Sequence, residues 1–377
     1  MLEQYRKEID QIDEQLVDLF EKRMDTAKKV GEYKKERGLE IFCPDREKAV
    51  IKKRTEQTKN PAYRQYTAEF FEDIMRISRS LQAKVLNGAQ NFLYQPADFF
   101  NADLKVVYPG VVGSYSGEAL NKFFPAVKHK LNVNTFLEAA KLVANGEADF
   151  GVLPFENNSS GAIADTLDLI LSEHLYIAGE TYVDVRHCLL GTSDAEMEDI
   201  KEIYSHNQGF VQSGLFLSSL KADIKCVPME NTALAAKYVA ECGNKKKAAI
   251  ASRLAAESYG LKILKENIHE NSGNTTRFVV VSNKLTCDNN CDKISAAFTT
   301  RHKSGALCDV LAVFARNGVN LMHIESRPLK QKDFSYMFYI DFEGNLADSN
   351  VADAITQIKE TGAELILLGN YRTENVR

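Results

Sequence analysis

Along the first 88 residues apolar side chains recur three and four positions apart: Ile9, Ile12, Leu16 and Leu19, then Ala27 and Val30. That spacing predicts one face of a single long helix, about 35 residues. A second helix is expected from near Asp45 to Thr58, and Asn60-Pro61 opens a third, with Tyr63, Phe70, Ile74, Ile77, Leu81 and Val85 on its stripe. Between 87 and 103 the helical period is lost and the text reads as a linker. From Leu104 the pattern changes to short apolar runs, each followed by a Gly-rich turn or a helical stretch. LKVVYPG, DFGVLPFENN, IKEIYSHN, AAIAS and NTTRFVVVSN read as strands, YIAGETYVDVRHCLLG as one or two more, and GSYSGEALNKFF as a helix start. Strand–helix alternation predicts an α/β architecture with ligands at the carboxyl ends of strands. The remainder gives strand (ISAAFTT), helix (ALCDVLAVFARNG), strand (NLMHIESRPL), strand (FSYMFYIDFEG), helix (VADAITQIKETG) and strand (AELILLG). That βαββαβ order is the ferredoxin-like arrangement. The chain is therefore expected to be multidomain: all-α at 1–88, α/β at 104–283 and α+β at 294–370.

Composition narrows the class. With 377 residues, 44% hydrophobic and 26% charged, the chain has the balance of a folded protein rather than a disordered one. A net charge of −5 argues against a nucleic-acid partner, and no apolar run approaches the ~20 residues of a membrane span. The charged start, MLEQYRKEIDQIDEQL, does not read as a signal peptide. Seven Cys, an odd number, read as reduced thiols rather than a disulfide framework, which points to a cytoplasmic protein. The distribution of charge is more telling than its sum. Residues 1–88 hold 19 Lys+Arg against 17 Asp+Glu, a net of +2, and only three of the 21 Gly.

Two features of this block are poorly explained by a plain bundle. A 35-residue helix is roughly 50 Å long, far more than a ~90-residue domain spans, so it needs a partner along its length, most simply a second subunit. Its apolar stripe is also interrupted at its own spacing by Arg6, Arg23 and Lys34. A buried cation is costly unless an anion meets it. Arg46 and Glu47 open the second helix, and Ser78 and Gln82 form an i, i+4 polar pair on the third. Singly, each fits a cation snorkelling at a helix seam; together they describe a polar pocket suited to a small dianion.

This string, Arg6, Arg23, Lys34, Arg46-Glu47, Ser78 and Gln82, resembles the active-site pattern of the all-helical chorismate mutases, which are intertwined dimers. The resemblance implies that Arg6 of a partner subunit, Arg23 and Arg46 hold the two carboxylates of chorismate. Lys34 and Gln82 would face the ether oxygen, and Glu47 the ring hydroxyl. The reaction is pericyclic and needs no nucleophile, metal or cofactor. Three residues before Arg46 the family often has Asp; here Cys43 stands.

In the α/β block, chemistry gathers after strands: Ser114-Tyr115-Ser116, Glu156-Asn157-Asn158-Ser159, Ser205-His206-Asn207-Gln208, and Asn274-Thr275-Thr276-Arg277-Phe278. Each alone also fits a helix cap, turn or loop. No GxxxxGK[ST] occurs, and Gly110, Gly113 and Gly117 lack GxGxxG spacing, so neither a P-loop nor a dinucleotide site is indicated. From Leu104 to Asn283 the block resembles prephenate dehydratase, with Thr276-Arg277-Phe278 as the most specific motif and PFEN at Pro154–Asn157 and SHNQ at Ser205–Gln208 in support. The resemblance implies two α/β lobes like a bacterial solute-binding protein, with the site in the cleft between them. Thr276 would help the ring hydroxyl of prephenate leave, while Arg277 and the Ser114, Ser116, Glu156, Asn157, Ser159, His206 and Gln208 regions position the substrate. Asn158 stands where the family commonly has Ser.

The last block resembles the ACT regulatory domain through Gly305-Ala306-Leu307 and Glu325-Ser326-Arg327-Pro328. The resemblance implies a phenylalanine site between ACT domains, with Asn320 and Leu321 contributing. In the order of its blocks, the whole chain resembles bifunctional chorismate mutase–prephenate dehydratases, homo-oligomers that act on chorismate and prephenate with L-phenylalanine as effector. Two rivals stay open: a dehydratase with an inactive helical dimerisation arm, and a non-catalytic amino-acid sensor. A dehydrogenase is disfavoured by the missing dinucleotide fingerprint. Cys287 and Cys291 invite a zinc reading, but structural zinc takes four ligands and no second pair stands nearby, so a linker loop is preferred. Cys43, Cys188, Cys226, Cys242 and Cys308 read as core filler or bystanders.

Overall fold

The computed structural model describes residues 1–39, 43–87, 98–159, 161–220, 223–270, 273–300, 303–328 and 336–374. Most of the expected linker, 88–97, lies outside the described residues. The chain forms two compact units, one of Met1–Phe92 with Ala296–Ile366 and one of Leu93–Ser295 with Leu367–Arg377.

The N-terminal block is three helices, α1 (Leu2–Glu36), α2 (Pro44–Gln57) and α3 (Arg64–Asn87). Pro44 opens α2, where its missing N–H costs nothing. Asn60 caps a short 3₁₀ turn, Pro61–Tyr63, ahead of α3, so the third helix starts later than Pro61 alone suggests. Packing is tight only at the end of α1. A Cβ on Gly31 would sit 3.1 Å from Gln82 Cγ, so the absence of a side chain lets α1 approach α3 there. Within one chain the expected stripe is not a core. Ala27 is buried, but Ile9, Ile12, Leu16 and Leu19 are 55%, 50%, 45% and 63% exposed. On α3, Ile74 is buried and Phe70 exposed, as is Tyr63 in the turn before it.

The larger unit contains two lobes. The first runs through β1 (Lys105–Pro109), α4 (Tyr115–Phe123), β2 (His129–Val133), α5 (Phe136–Ala144), β3 (Phe150–Asn157), β4 (Gly161–Ala162), α6 (Ala164–Ser172) and β5 (Tyr176–Asp184). The second comprises β6 (Cys188–Gly191), β7 (Glu202–Ser205), α7 (Asn207–Gln212), α8 (Gly214–Ser218), β8 (Lys225–Pro228), α9 (Thr232–Cys242), β9 (Lys247–Ala251), α10 (Arg253–Tyr259) and β10 (Lys262–Lys265). The chain then returns to the first lobe as β11 (Thr275–Ser282), which pairs antiparallel with both β3 and β5. The second sheet has the order β10-β6-β9-β7-β8. Its strands alternate between two cores: Cys188, Leu190, Ala249 and Ala251 pack on one face, and Leu189, Ala248, Ile250 and Ile203 on the other. The lobes touch at Gly113 (φ +83°), where a Cβ would lie 2.8 Å from Ala255 Cα on α10, so only Gly fits. Ser252 Oγ donates to the Gly113 carbonyl at 3.0 Å across the same seam.

The C-terminal block is β12 (Lys293–Thr299), α11 (Ala306–Arg316), β13 (Leu321–Pro328), β14 (Tyr336–Glu343), α12 (Ser349–Glu360) and β15 (Glu364–Tyr371), with strand order β13-β14-β12-β15. This is the expected βαββαβ arrangement. Among the described residues no helix is long and apolar enough to cross a membrane.

Arg277 of β11 is fixed inside the larger unit. Its Nε donates to Glu180 Oε2 at 2.8 Å and a terminal nitrogen donates to the Tyr371 hydroxyl at 2.8 Å. Lys293 Nζ reaches the same Glu180 oxygen at 2.9 Å, and Glu180 is 1% exposed. Replacing Glu180 with Gln strips two buried cations of their shared counter-charge. The substitution is expected to cost about 3–5 kcal/mol, read as a lower urea midpoint at unchanged slope. A loss below about 1 kcal/mol would show that the cluster does not hold the unit together.

Candidate functional site

In the larger unit a cavity of about 430 Å³ lies between the two lobes, lined by both. β11 enters it with Thr276 and Phe278. Strand alternation sends the intervening Arg277 the other way. β3 contributes Pro154 and Asn157, three positions apart, which a regular strand would place on opposite faces. A bulge resolves this: Phe278 pairs with Pro154 and Arg277 with Glu156, leaving Phe155 as the extra residue.

Asn157 is the organiser of this corner. Its Oδ1 accepts from the Ser159 N–H at 2.9 Å, which fixes the amide orientation. Its Nδ2 then donates to Thr276 Oγ1 at 2.9 Å and to Asn274 Oδ1 at 2.8 Å. With one lone pair of Thr276 Oγ1 taken, the hydroxyl proton of Thr276 has no acceptor among the described residues and is available to a ligand. Asn158 explains its own presence: its side chain donates to the Gly273 carbonyl and accepts from the Thr275 N–H at 3.0 Å, clamping the loop that delivers Thr276.

Ser114, Ser116, His206 and Gln208 also line the cavity. Ser114 caps α4, accepting from the Gly117 N–H at 3.3 Å. His206 caps α7, its Nδ1 accepting from the Gln208 N–H at 3.2 Å, so it combines the capping role with a place on the wall. Asn231, the cap of α9, joins His206 and Gln208 on the second lobe's side of the cavity, with Ser114 and Ser116 on the first. Helix N-termini with free N–H groups thus converge here from both lobes, a setting for carboxylates. Among the described residues no Lys or Arg lines the cavity. Arg277 faces Glu180, and Glu156 lies 3.9 Å from Arg277, outside the residues that line the cavity. Both are displaced by the same alternation of side chains along paired strands. Ser159 is likewise absent from the wall and contributes through its backbone N–H.

His187 and Gln212 are among the cavity residues that lie outside the sequence motifs. His187 Nε2 lies 2.8 Å from Gln212 Oε1 and its Nδ1 3.1 Å from the Tyr115 hydroxyl. Burial pushes the His187 pKa down to about 4. The ring is therefore neutral near pH 7 and serves as a dipolar wall group rather than a cation. The only sequence signal was its position between two strands, in VDVRHCLLG.

In the helical block Arg23 donates to Ser78 Oγ and, at 3.2 Å, to the Ile74 carbonyl. Its pKa is lowered by burial. Gln82 is buried beside Gly31, and its Oε1 has no hydrogen-bond partner among the described residues. Lys34 is half-buried and Arg46 exposed. Glu47 forms an ion pair with Arg79, a residue the motif reading did not single out. The block therefore brings Arg23 and Ser78 together, while Arg6 sits on the exposed part of α1.

In the C-terminal block Gly305 (φ +81°) precedes α11, followed by Ala306 and Leu307 in its first turn. Asn320 Nδ2 donates to Glu343 Oε1 at 3.0 Å, and Leu321 begins β13. Glu325, Ser326, Arg327 and Pro328 end β13, an edge strand, where Arg327 lies 3.3 Å from Glu325. No hydrogen bond or ion pair joins the two motifs among the described residues.

Family models match in the same order: chorismate mutase type II over residues 5–83, prephenate dehydratase over 106–286 and the ACT domain over 298–360. A bifunctional chorismate mutase/prephenate dehydratase of Aquifex aeolicus is 32% identical over 374 residues, covering 98% of this chain and 97% of that protein. The chain belongs to the bifunctional chorismate mutase/prephenate dehydratase family. A second member, from Pseudomonas aeruginosa, is 32% identical over 375 residues and covers 98% and 97% of the two chains. The crystal structure of the Arthrobacter aurescens prephenate dehydratase in complex with L-Phe matches with a TM-score of 0.65 at 31% identity, covering 72% of this chain and 90% of that one. In family terms the two-lobed cavity lies within the dehydratase segment, and Arg23 and Ser78 within the mutase segment.

The neutral state of His187 has a pH signature. Its folded-state pKa of about 4 lies below the ordinary 6.5, so the stability from burying the neutral ring is complete above pH 6.5. It is lost as pH falls through about 4, by on the order of 3 kcal/mol. His187→Gln is expected to flatten the acid side of a stability–pH curve from urea unfolding. An unchanged slope between pH 7 and 4 would remove His187 as its source.

Proposed function

We infer that this chain rearranges chorismate to prephenate and then converts prephenate to phenylpyruvate, under feedback inhibition by L-phenylalanine. The observation that carries the dehydratase reading is the Asn157–Thr276 pair, which leaves one hydroxyl proton free in a cleft. Prephenate is a dianion with a ring hydroxyl. Its carboxylates fit the converging helix N-termini, and the Thr276 O–H donates a hydrogen bond to the departing hydroxyl. The C–O bond then breaks as the ring carboxylate leaves as CO₂, its C–C electron pair completing the aromatic ring. A Thr hydroxyl is a weak acid, so Thr276 acts as a hydrogen-bond donor or relay.

The mutase reading assigns Arg23, Arg46 and the Arg6 of a second copy to the carboxylates of chorismate, Lys34 and Gln82 to the ether oxygen, and Glu47 to the ring hydroxyl, with Ser78 holding Arg23. Catalysis rests on holding the folded conformer and stabilising charge on the breaking ether bond. The buried Gln82 Oε1 without a partner fits a site completed by substrate and a second chain. The exposed row Ile9, Ile12, Leu16 and Leu19 supports a homo-oligomer built along α1. Phenylalanine is assigned to Gly305–Leu307, Asn320, Leu321 and Glu325–Pro328. Domain limits of 1–88, 104–283 and 294–370 accompany these roles, in a protein working in the cytoplasm.

Thr276→Ala is expected to lower phenylpyruvate formation at least about a hundredfold while chorismate consumption stays within about twofold of the parent; parallel loss of both in a folded variant would refute separate sites. Conversely, Gln82→Ala should lose chorismate turnover and retain activity on added prephenate. Glu325→Lys should raise the phenylalanine concentration for half-inhibition at least about tenfold at unchanged uninhibited rate. Inhibition that survives unaltered would move the effector site off β13.

A further inference from the structure

The helical and C-terminal blocks share one compact unit, Met1–Phe92 with Ala296–Ile366, and within it α12 packs against α3. A cavity of about 440 Å³ in that unit is lined by Glu47 of α2, Arg79 of α3 and Glu360 at the end of α12. The ion pair of Glu47 with Arg79 uses one carboxylate oxygen, Oε2. The other, Oε1, makes no hydrogen bond or ion pair among the described residues. Ser78 and Arg79, neighbours on α3, thus hold two of the residues assigned to chorismate, Arg23 and Glu47.

Glu360 reaches the same cavity from the C-terminal block. Its Oε1 is buried and has no hydrogen-bond partner among the described residues. A carboxylate in that position is costly unless a positive charge stands near. Burial raises the Glu360 pKa to about 7, and Arg79 is the charge that opposes the rise. Two neighbouring cations of the cavity are turned elsewhere: Arg76 pairs with Asp73 at 3.0 Å, and Lys303 lies 3.9 Å from Asp309.

We propose that Arg79 is a positioning residue for the mutase reaction, holding Glu47 by Oε2 so that Oε1 meets the ring hydroxyl, and that Glu360 of the C-terminal block holds Arg79 in turn. The proposal rests on the mutase role given to Glu47 above. A long carboxylate side chain loses rotamer freedom when it is fixed, and fixing it before substrate arrives removes that cost from the reaction. The planar guanidinium has enough N–H donors to serve two carboxylates. Arg79 does not touch chorismate, and the cations assigned to the substrate carboxylates, Arg23 and Arg46, stay in place without it. Its loss therefore acts on the rate more than on affinity. The arrangement makes a residue of the C-terminal block a determinant of the mutase rate.

The test measures chorismate turnover by the full-length protein at about pH 8, where Glu360 is ionised, with circular dichroism to verify the helical content of each variant. Arg79→Ala is expected to lower kcat at least about tenfold with KM within about twofold, and Arg79→Lys to recover at least about threefold of that loss. Glu360→Gln, which keeps the shape and removes the charge, should lower kcat about threefold and add nothing on top of Arg79→Ala. Parent kinetics in a folded Arg79→Ala variant would overturn the proposal, as would a rise in KM alone or a Glu360→Gln effect that multiplies with that of Arg79→Ala. Should Arg79→Ala lose helical signal, Glu360→Gln decides, and an unchanged kcat overturns the proposal. Glu47→Ala separates it from the reading beneath it. Parent-like turnover there would overturn both together, whereas lost turnover there with parent kinetics in Arg79→Ala would overturn the positioning role alone.

Discussion

The carboxylate of Glu180, buried on β5, is the constraint around which the dehydratase segment is arranged. A lone buried anion is untenable, and Glu180 is met by Arg277 from β11 and Lys293 from β12. The consequence reaches the cavity. Side chains on a strand alternate, so sliding β11 by one residue would drive Arg277 into the cleft and Thr276 into the interior. Glu180 makes that slip prohibitive because it would lose its principal partner. The pair is thus a register device for the neighbouring residue. Arg277 belongs to the most specific motif in the chain, yet it acts on the far side of the strand from the chemistry.

The proposed roles give this molecule two ways of meeting a dianion. The helical block sets cations along a helix, where Arg23 is held by Ser78 and the Ile74 carbonyl. The cleft has no Lys or Arg on its wall among the described residues and presents helix starts from both lobes, with the Asn157–Thr276 bond beside them. A charged hydrogen bond contributes about 1.5–3 kcal/mol, whereas a helix end contributes about 0.3–1 kcal/mol, rising to about 2 when partly buried. Weaker, fixed dipoles suit a site that must release a product with one carboxylate fewer than its substrate. Fixed cations suit a rearrangement in which both carboxylates persist and the folded conformer must be held.

How much of this was legible follows from which constraints are local. The second helix near Asp45 and the βαββαβ order of the last block rest on local signals, and those elements stand where the signals put them, while the third helix starts only after the short turn at Pro61–Tyr63. The grouping of Thr276 with Asn157, Ser114 and Gln208 was visible as polar segments following strands. The direction of Arg277 was not, because a three-residue motif does not say which residue faces the site; pairing with β3 and β5 decides it. The bulge at Phe155 is equally silent, since it exists only in the match between two strands. His187 was missed because one His between apolar runs looks the same whether it lines a cavity or a core. Among the five single cysteines, only Cys188 is buried; small apolar neighbours in sequence did not report burial in space.

The long first helix is where sequence and single-chain structure pull against each other, and the tension is informative. Its heptad-like stripe is as regular as that of any core helix, yet only Ala27 and Gly31 are buried. A stripe of that length left in water would forfeit the hydrophobic gain of each Leu and Ile on it, about 1.5–3 kcal/mol per fully buried side chain. The same helix carries Arg6 on its exposed part, while the other end of the candidate mutase pocket keeps a buried Gln82 oxygen with no hydrogen-bond partner among the described residues. In the proposed homo-oligomer, an apolar face that needs a cover and a polar pocket that needs another donor are both met by one event, the pairing of α1 with α1 of a second copy. The energy of association and the completion of the site would then share one surface, on which the proposed role of Arg6 gives the cation that interrupts the stripe its place.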